Sequence, residues 1–234
     1  MIRWITVFAV LLSLAVAGVA VAQEEAHYEG YFINSAHPPT NPNPGVIGLE
    51  GRGLVTALAF PGSPLTSDFV HFEYTWVLTG ALPAASSTVG TTTYTTYNVS
   101  LMPATITIYE DKLQDARPTF YLCPADITPS PPGDGRYSNG PIYLRGHFVT
   151  LSTQYDSGTL TGTFTGQLNW DSGSHLFELP IGRRGGFTFG GTTTFDFACI
   201  PLASGYDQAM TGRIFQLTTA ARTASWGVLR TMYH

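Results

Sequence analysis

The chain reads as an all-β protein, an antiparallel β-sandwich of jelly-roll character. Three observations predict this. Apolar and polar residues alternate with period two over long stretches, the pattern of half-buried strands. The alternating stretches are rich in Thr, Tyr and Phe, the residue types that suit a pleated surface. Between them stand clusters of turn residues, drawn from 25 Gly and 16 Pro in 234 residues. Charged residues are only 12% of the chain, against 13% aromatics and a net charge of -5. Such a composition suits a packed core rather than a charge-driven disordered chain. Net acidity without a basic run argues against nucleic-acid binding.

Residues 1–22 read as a sorting signal. Arg3 is followed by an apolar stretch from Ile5 to Ala22, closing on Ala20-Val21-Ala22 and then Gln23-Glu24-Glu25. A positive start, an apolar middle and small residues at the A-x-A positions are what signal peptidase reads. Cleavage near Ala22 predicts a secreted, extracellular or periplasmic product. The mature chain has no second apolar run of membrane-spanning length. Residues 23–217 then form one β domain, and 218–234 a tail or closing helix. Cys123 and Cys199 both fall in the exported part, so they are expected to pair. A disulfide closing so long a loop stabilises by about 4 kcal/mol in the chain-entropy account.

The strands follow in order. Tyr28–Ile33 is the first. Val46–Phe60 contains Gly48, Gly51 and Gly53, which speaks against a helix without marking a strand. In Val70–Leu78 the apolar set Val70, Phe72, Tyr74, Trp76 and Leu78 shares one face, and His71, Glu73 and Thr75 the other. Thr91–Ser100 and Ala104–Tyr109 are further strands. Residues 142–170 form an antiparallel hairpin turning at Asp156-Ser157-Gly158, with Leu160, Phe164, Leu168 and Trp170 on its apolar side. Gly162 and Gly166 lie on that same side, where a missing side chain lets a sheet curl or an aromatic ring lie flat. Phe187–Phe189 and Thr192–Phe197 complete the set. In Thr218–Tyr233, Trp226, Leu229 and Tyr233 share the apolar side of a short helix.

Chemistry is sparse. There is no Gly-x-Ser-x-Gly elbow, and paired cysteines are poor nucleophiles. Glu73 and Glu178 are the acids that could flank a glycosidic bond, though clustered acids on one strand are missing. The six histidines are scattered. No catalytic residue is assigned. Glu110, Asp111 and Asp115 follow a predicted strand end and are the candidate ligands of a structural calcium ion, which takes six to eight oxygens from flexible loops. No other cofactor is expected. Tyr94, Tyr97, Tyr137 and Tyr143 are candidates for a sugar-stacking aromatic face. A Thr-rich edge strand at Thr91–Ser100 would also allow self-association.

The words Thr105-Ile-Thr-Ile-Tyr-Glu-Asp111, Gly146-His-Phe-Val-Thr-Leu151, Gly162-Thr-Phe-Thr-Gly166, Gly190-Gly-Thr-Thr-Thr194 and Gly205-Tyr-Asp207 give the chain a resemblance to uncharacterised exported bacterial β proteins of the PEP-CTERM-associated kind. It covers roughly residues 70–215. The Pro-Glu-Pro sorting tail of that group is not in this sequence. The resemblance implies a non-enzymatic envelope role and no functional residue. The expected function is therefore structural, adhesive or surface-matrix, with an extracellular polysaccharide or an envelope protein as partner. A carbohydrate-binding module and a jelly-roll glycoside hydrolase are the alternatives.

Overall fold

The computed structural model describes residues 24–34, 48–59, 65, 67–100, 103–116, 135–194, 206 and 208–216. Residues 1–22, Cys123, Cys199 and the 218–234 segment lie outside the described residues. The strands are β1 (Glu24–Asn34), β2 (Leu49–Ala59), β3 (Glu73–Val89), β4 (Thr92–Asn98), β5 (Thr105–Asp111), β6 (Ile142–Asp156), β7 (Thr161–Ser172), β8 (Phe187–Thr194) and β9 (Gln208–Gln216). Every pairing is antiparallel.

These strands do not split into two stacked sheets, as a sandwich requires. β1 pairs with β2 and β9, β2 also with β3, and the ladder continues through β6, β7 and β8 back to β9. The sheet closes into an eight-stranded up-and-down barrel. Nine strands fill eight positions because β4 and β5 share one. β4 pairs with Leu82–Val89 of β3, β5 pairs with Glu73–Thr79, and both pair with β6. β4 ends at Asn98 and β5 begins at Thr105, and just before β5 the Phe148 N–H donates to the Ala104 carbonyl at 2.8 Å.

Alternation decides which residues enter the barrel. Tyr28 and Phe32 of β1, Trp76 of β3, Phe148 of β6, Phe164 and Trp170 of β7, and Phe187 and Phe189 of β8 are all buried in one cluster. Tyr28 stacks on Phe189 with centroids 5.0 Å apart, and Phe32 meets Phe164 edge-on at 5.1 Å. A barrel of eight strands has an interior just wide enough to be filled this way.

So many rings fit because glycine occupies neighbouring inward positions. A Cβ on Gly51 would come within 2.5 Å of the Phe32 ring and 2.8 Å of Trp76. One on Gly166 would stand 2.6 Å from the Thr150 carbonyl oxygen and 3.0 Å from the Phe148 ring. Gly191 faces Gly212 across the β8–β9 ladder, and a Cβ on Gly191 would stand 2.6 Å from the Gly212 Cα. Gly30 faces Gly53 in the same way across β1–β2. Bare backbones at these crossings allow the close approach and curl that closure needs. That is also why β2 escapes a propensity reading, for the glycines that weaken its pattern are the ones its position requires.

Element boundaries shift accordingly. β3 starts at Glu73, because residues 69–71 make a turn; Val70 is 81% exposed and not part of the apolar face. β3 then runs on to Val89, beyond the expected end at Leu78. The hairpin of 142–170 is present as β6 and β7, with Leu160 in the turn. Phe187–Phe189 and the start of Thr192–Phe197 merge into one strand, β8.

Candidate functional site

The outward positions form a polar wall. Read across the barrel in register, one row runs Ser87, Tyr94, Gln154, Thr163, Thr192, Thr211. The row above it runs Thr92, Asp156, Thr161, Thr194, and the row below Thr96, Ser152, Thr165, Gly190. Thr163, Thr165, Thr192, Thr211, Gln154 and Tyr94 are all exposed. Neighbours in a row are one strand spacing apart, about 4.8 Å, and successive rows about 6.8 Å. The result is a repeating array of hydroxyl and amide groups on the wall built by β4, β6, β7, β8 and β9. A barrel that faces lipid carries the opposite polarity, an apolar band outward and polar groups inward.

Of the four tyrosines singled out by sequence, Tyr94 alone lies on this wall, 44% exposed. Tyr97 is three residues further along the same strand and therefore faces the interior, where its hydroxyl meets Thr153 Oγ1 at 3.1 Å. Tyr143 is fully buried between the Tyr74 ring at 5.1 Å and the His175 ring at 4.1 Å. Tyr137 is buried by the 135–141 segment, which lies against the outside of β3: Thr75 Oγ1 donates to the Tyr137 carbonyl at 2.9 Å. No stacking face is built from these four. Their sequence neighbourhoods did not distinguish core from surface, because a Tyr suits either side of a strand.

The carboxylates at the other end of the barrel are individually engaged. Glu110 accepts from the Tyr74 hydroxyl at 2.8 Å, Asp111 from the Leu113 N–H at 2.9 Å, and Asp115 from Asn139 at 3.1 Å. Glu110 and Asp111 are adjacent in one strand and so point to opposite faces. Among the described residues no group of three His, Cys, Asp or Glu is arranged to hold a metal ion.

Glu73 and Asp111 are directly opposite in the β3–β5 ladder. Burial pushes the Glu73 carboxyl up to about 7; Asp111 and Asp115 push the same way, against the Ala116 N–H that Glu73 accepts at 3.0 Å. This is an acid pair with one raised member, as hydrolases use. Yet Asp111 is only 3% exposed, so a sugar cannot touch it. Glu178, the other acid singled out by sequence, binds His175 Nδ1 at 3.0 Å. Both acids tie down loops at the barrel end.

No family model, curated protein or solved structure matches this chain. Its own geometry therefore carries the functional assignment.

Proposed function

We propose that this chain is an exported, non-catalytic β-barrel that holds an extracellular polysaccharide through its outer threonine wall. The observation that carries this is the in-register row Tyr94, Gln154, Thr163, Thr192, Thr211, with a similar row on each side. A sugar polymer offers hydroxyls at short repeats, and a rigid array of hydroxyls exchanges water for them at little entropic cost, since β-branched Thr has few rotamers to lose. Tyr94 adds one ring for a sugar face. The leader-like residues 1–22 and the pairing of Cys123 with Cys199 belong to the same reading, that of a protein working in an oxidising, extracytoplasmic space.

The test is retention of the exported protein on insoluble cellulose and chitin and on a glycan array, with and without calcium. Thr163→Val combined with Tyr94→Ala is expected to weaken retention about tenfold, the loss of roughly 1.4 kcal/mol of contact. Unchanged retention would remove the threonine wall from the function. Binding to an envelope protein and to no glycan would give the structural role a different partner.

A further inference from the structure

In an up-and-down ladder the β2–β3, β5–β6 and β7–β8 connections all emerge at one end of the barrel. Each of them holds large apolar side chains in water. Val70 stands in the first, Leu113 in the second, and Phe177 and Ile181 in the third, at 71% to 83% exposed. Phe69, beside Val70, is also exposed. A single exposed apolar residue needs no explanation, but a set gathered at one end marks a contact surface. Phe177 and Ile181 sit on two short 3-10 turns, Leu176–Glu178 and Ile181–Arg183, and neither turn has a buried residue.

These tips are held out by specific bonds. Asp68 Oδ1 accepts from the N–H groups of Val70 at 3.1 Å and His71 at 3.2 Å, which fixes the turn that carries Val70. Asp111 does the same for Leu113, and Gln114 beside it has a left-handed φ of 51°. Bonds from N–H groups to a carboxylate are among the stronger hydrogen bonds. Here they stabilise turns whose apolar residues face water. Gln114 Nε2 donates to the Val70 carbonyl at 3.5 Å and ties the first two tips together. Rings in contact link the first to the third: Phe69 to Tyr74 at 4.8 Å, Tyr74 to Tyr143 at 5.1 Å, Tyr143 to His175 at 4.1 Å and His175 to Phe177 at 6.4 Å. The tips therefore form one rigid crown.

We infer that this end of the barrel seats on a lipid surface without crossing it, with Val70, Leu113, Phe177 and Ile181 inserted into the interface of a zwitterionic bilayer. Three features favour lipid over a protein partner. β1 begins at Glu24 at this same end, and the apolar run Ile5–Ala22, about long enough to span a bilayer, precedes it in the chain. The tips stand on separate connections, whereas a folded partner needs a continuous, well-packed patch. A bilayer interface closes around separate side chains, and binding scales with the apolar area it takes up. The exposed charges beside the tips, Asp68, Lys112 and Asp115, are of both signs, which suits zwitterionic rather than anionic headgroups. The inference is independent of the polysaccharide role, and seating on this end would leave the threonine wall standing clear of the membrane.

The experiment sediments the exported protein with phosphatidylcholine vesicles at low and high salt. The variant combines Val70→Ser, Leu113→Ser, Phe177→Ser and Ile181→Ser, and thermal unfolding checks that it stays folded. The expected result is binding that salt leaves unchanged and that falls about tenfold or more in the variant. A second measurement needs no loss of binding. Phe177→Trp adds an indole at the crown, and its added fluorescence should be quenched by phosphatidylcholine with brominated acyl chains. No binding, equal binding by the variant, or an unquenched Phe177→Trp would overturn the inference. So would binding confined to anionic vesicles and abolished by salt. Light scattering without lipid should show monomers, and a dimer that the fourfold variant dissolves would assign the crown to a second copy instead.

Discussion

The two halves of β3 share one strand and one hydrogen-bond ladder, yet they live in different environments. From Glu73 to Ala81 the strand lies between β2 and β5, and Tyr74, Trp76, Leu78 and Ala81 are buried. From Pro83 to Val89 it pairs with β4 on one side, its pairing with β2 ends at Ala81, and its residues are exposed on both faces. Cross-strand hydroxyl pairs, Ser86 with Thr95 at 3.2 Å and Thr88 with Thr93 at 3.1 Å, replace the rings of the lower half. Backbone pairing thus sets how far a strand extends, and bulky inward side chains set how deep the core reaches. The upper half also relocates the free edge. The self-association edge expected at Thr91–Ser100 is paired on both sides, by β3 and β6. Among the described residues Pro83–Val89 is an open edge, as is Val55–Ala59 of β2, whose pairing with β3 ends at Leu54, and Pro83 carries no N–H donor.

The sharpest way to break the contrast is in the lower half. Trp76→Ala empties the middle of the barrel and removes the indole donor to the Glu29 carbonyl, now held at 3.0 Å. A loss of about 3–5 kcal/mol is expected from the denaturant midpoint. A loss under 1 kcal/mol would show that the rings do not carry the core. Gly51→Ala comes next, because its methyl must displace the Phe32 and Trp76 rings; about 1–3 kcal/mol is expected by the same measurement.

Glu73, at the foot of the strand, should tune stability with pH. Its folded carboxyl titrates near 7, above the ordinary 4.5. Ionisation is therefore harder in the folded state than in the unfolded one. Stability is greatest below about pH 4.5, falls as pH rises to 7, and stays reduced above that. Because the group is partly solvated, the swing should be about 1 kcal/mol rather than the full value of the shift. Glu73→Gln should flatten melting temperature across this window, and an unchanged slope would assign the effect elsewhere. In the upper half, Thr88→Ala should change stability by less than about 0.5 kcal/mol. Hydrogen exchange should be faster at amides 83–89 than at 74–80, and equal protection would mean that the hairpin tip is held by something beyond β4.

The outcome for the candidate residues follows from the same physics. Alternation marked the inward residues of β3 and β7 from sequence, because parity along a strand is local. It could not settle the tyrosines. Tyr97 faces inward by parity, but Tyr137 is buried by a segment laid over the outside of β3, and Tyr143 by Tyr74 on β3 and by His175 after β7.

What this sequence determined by itself is therefore its strand character, the inward parity of the rings of β3 and β7 and the turn at Asp156-Ser157-Gly158, all set by forces acting within a few residues. Whether the sheet stacks or closes and which hydroxyls line up in rows were decided only by the tertiary structure. Register and curl come from contacts between strands far apart in the chain, and bare-backbone crossings such as Gly30 with Gly53 and Gly191 with Gly212 take their meaning only once those strands are side by side.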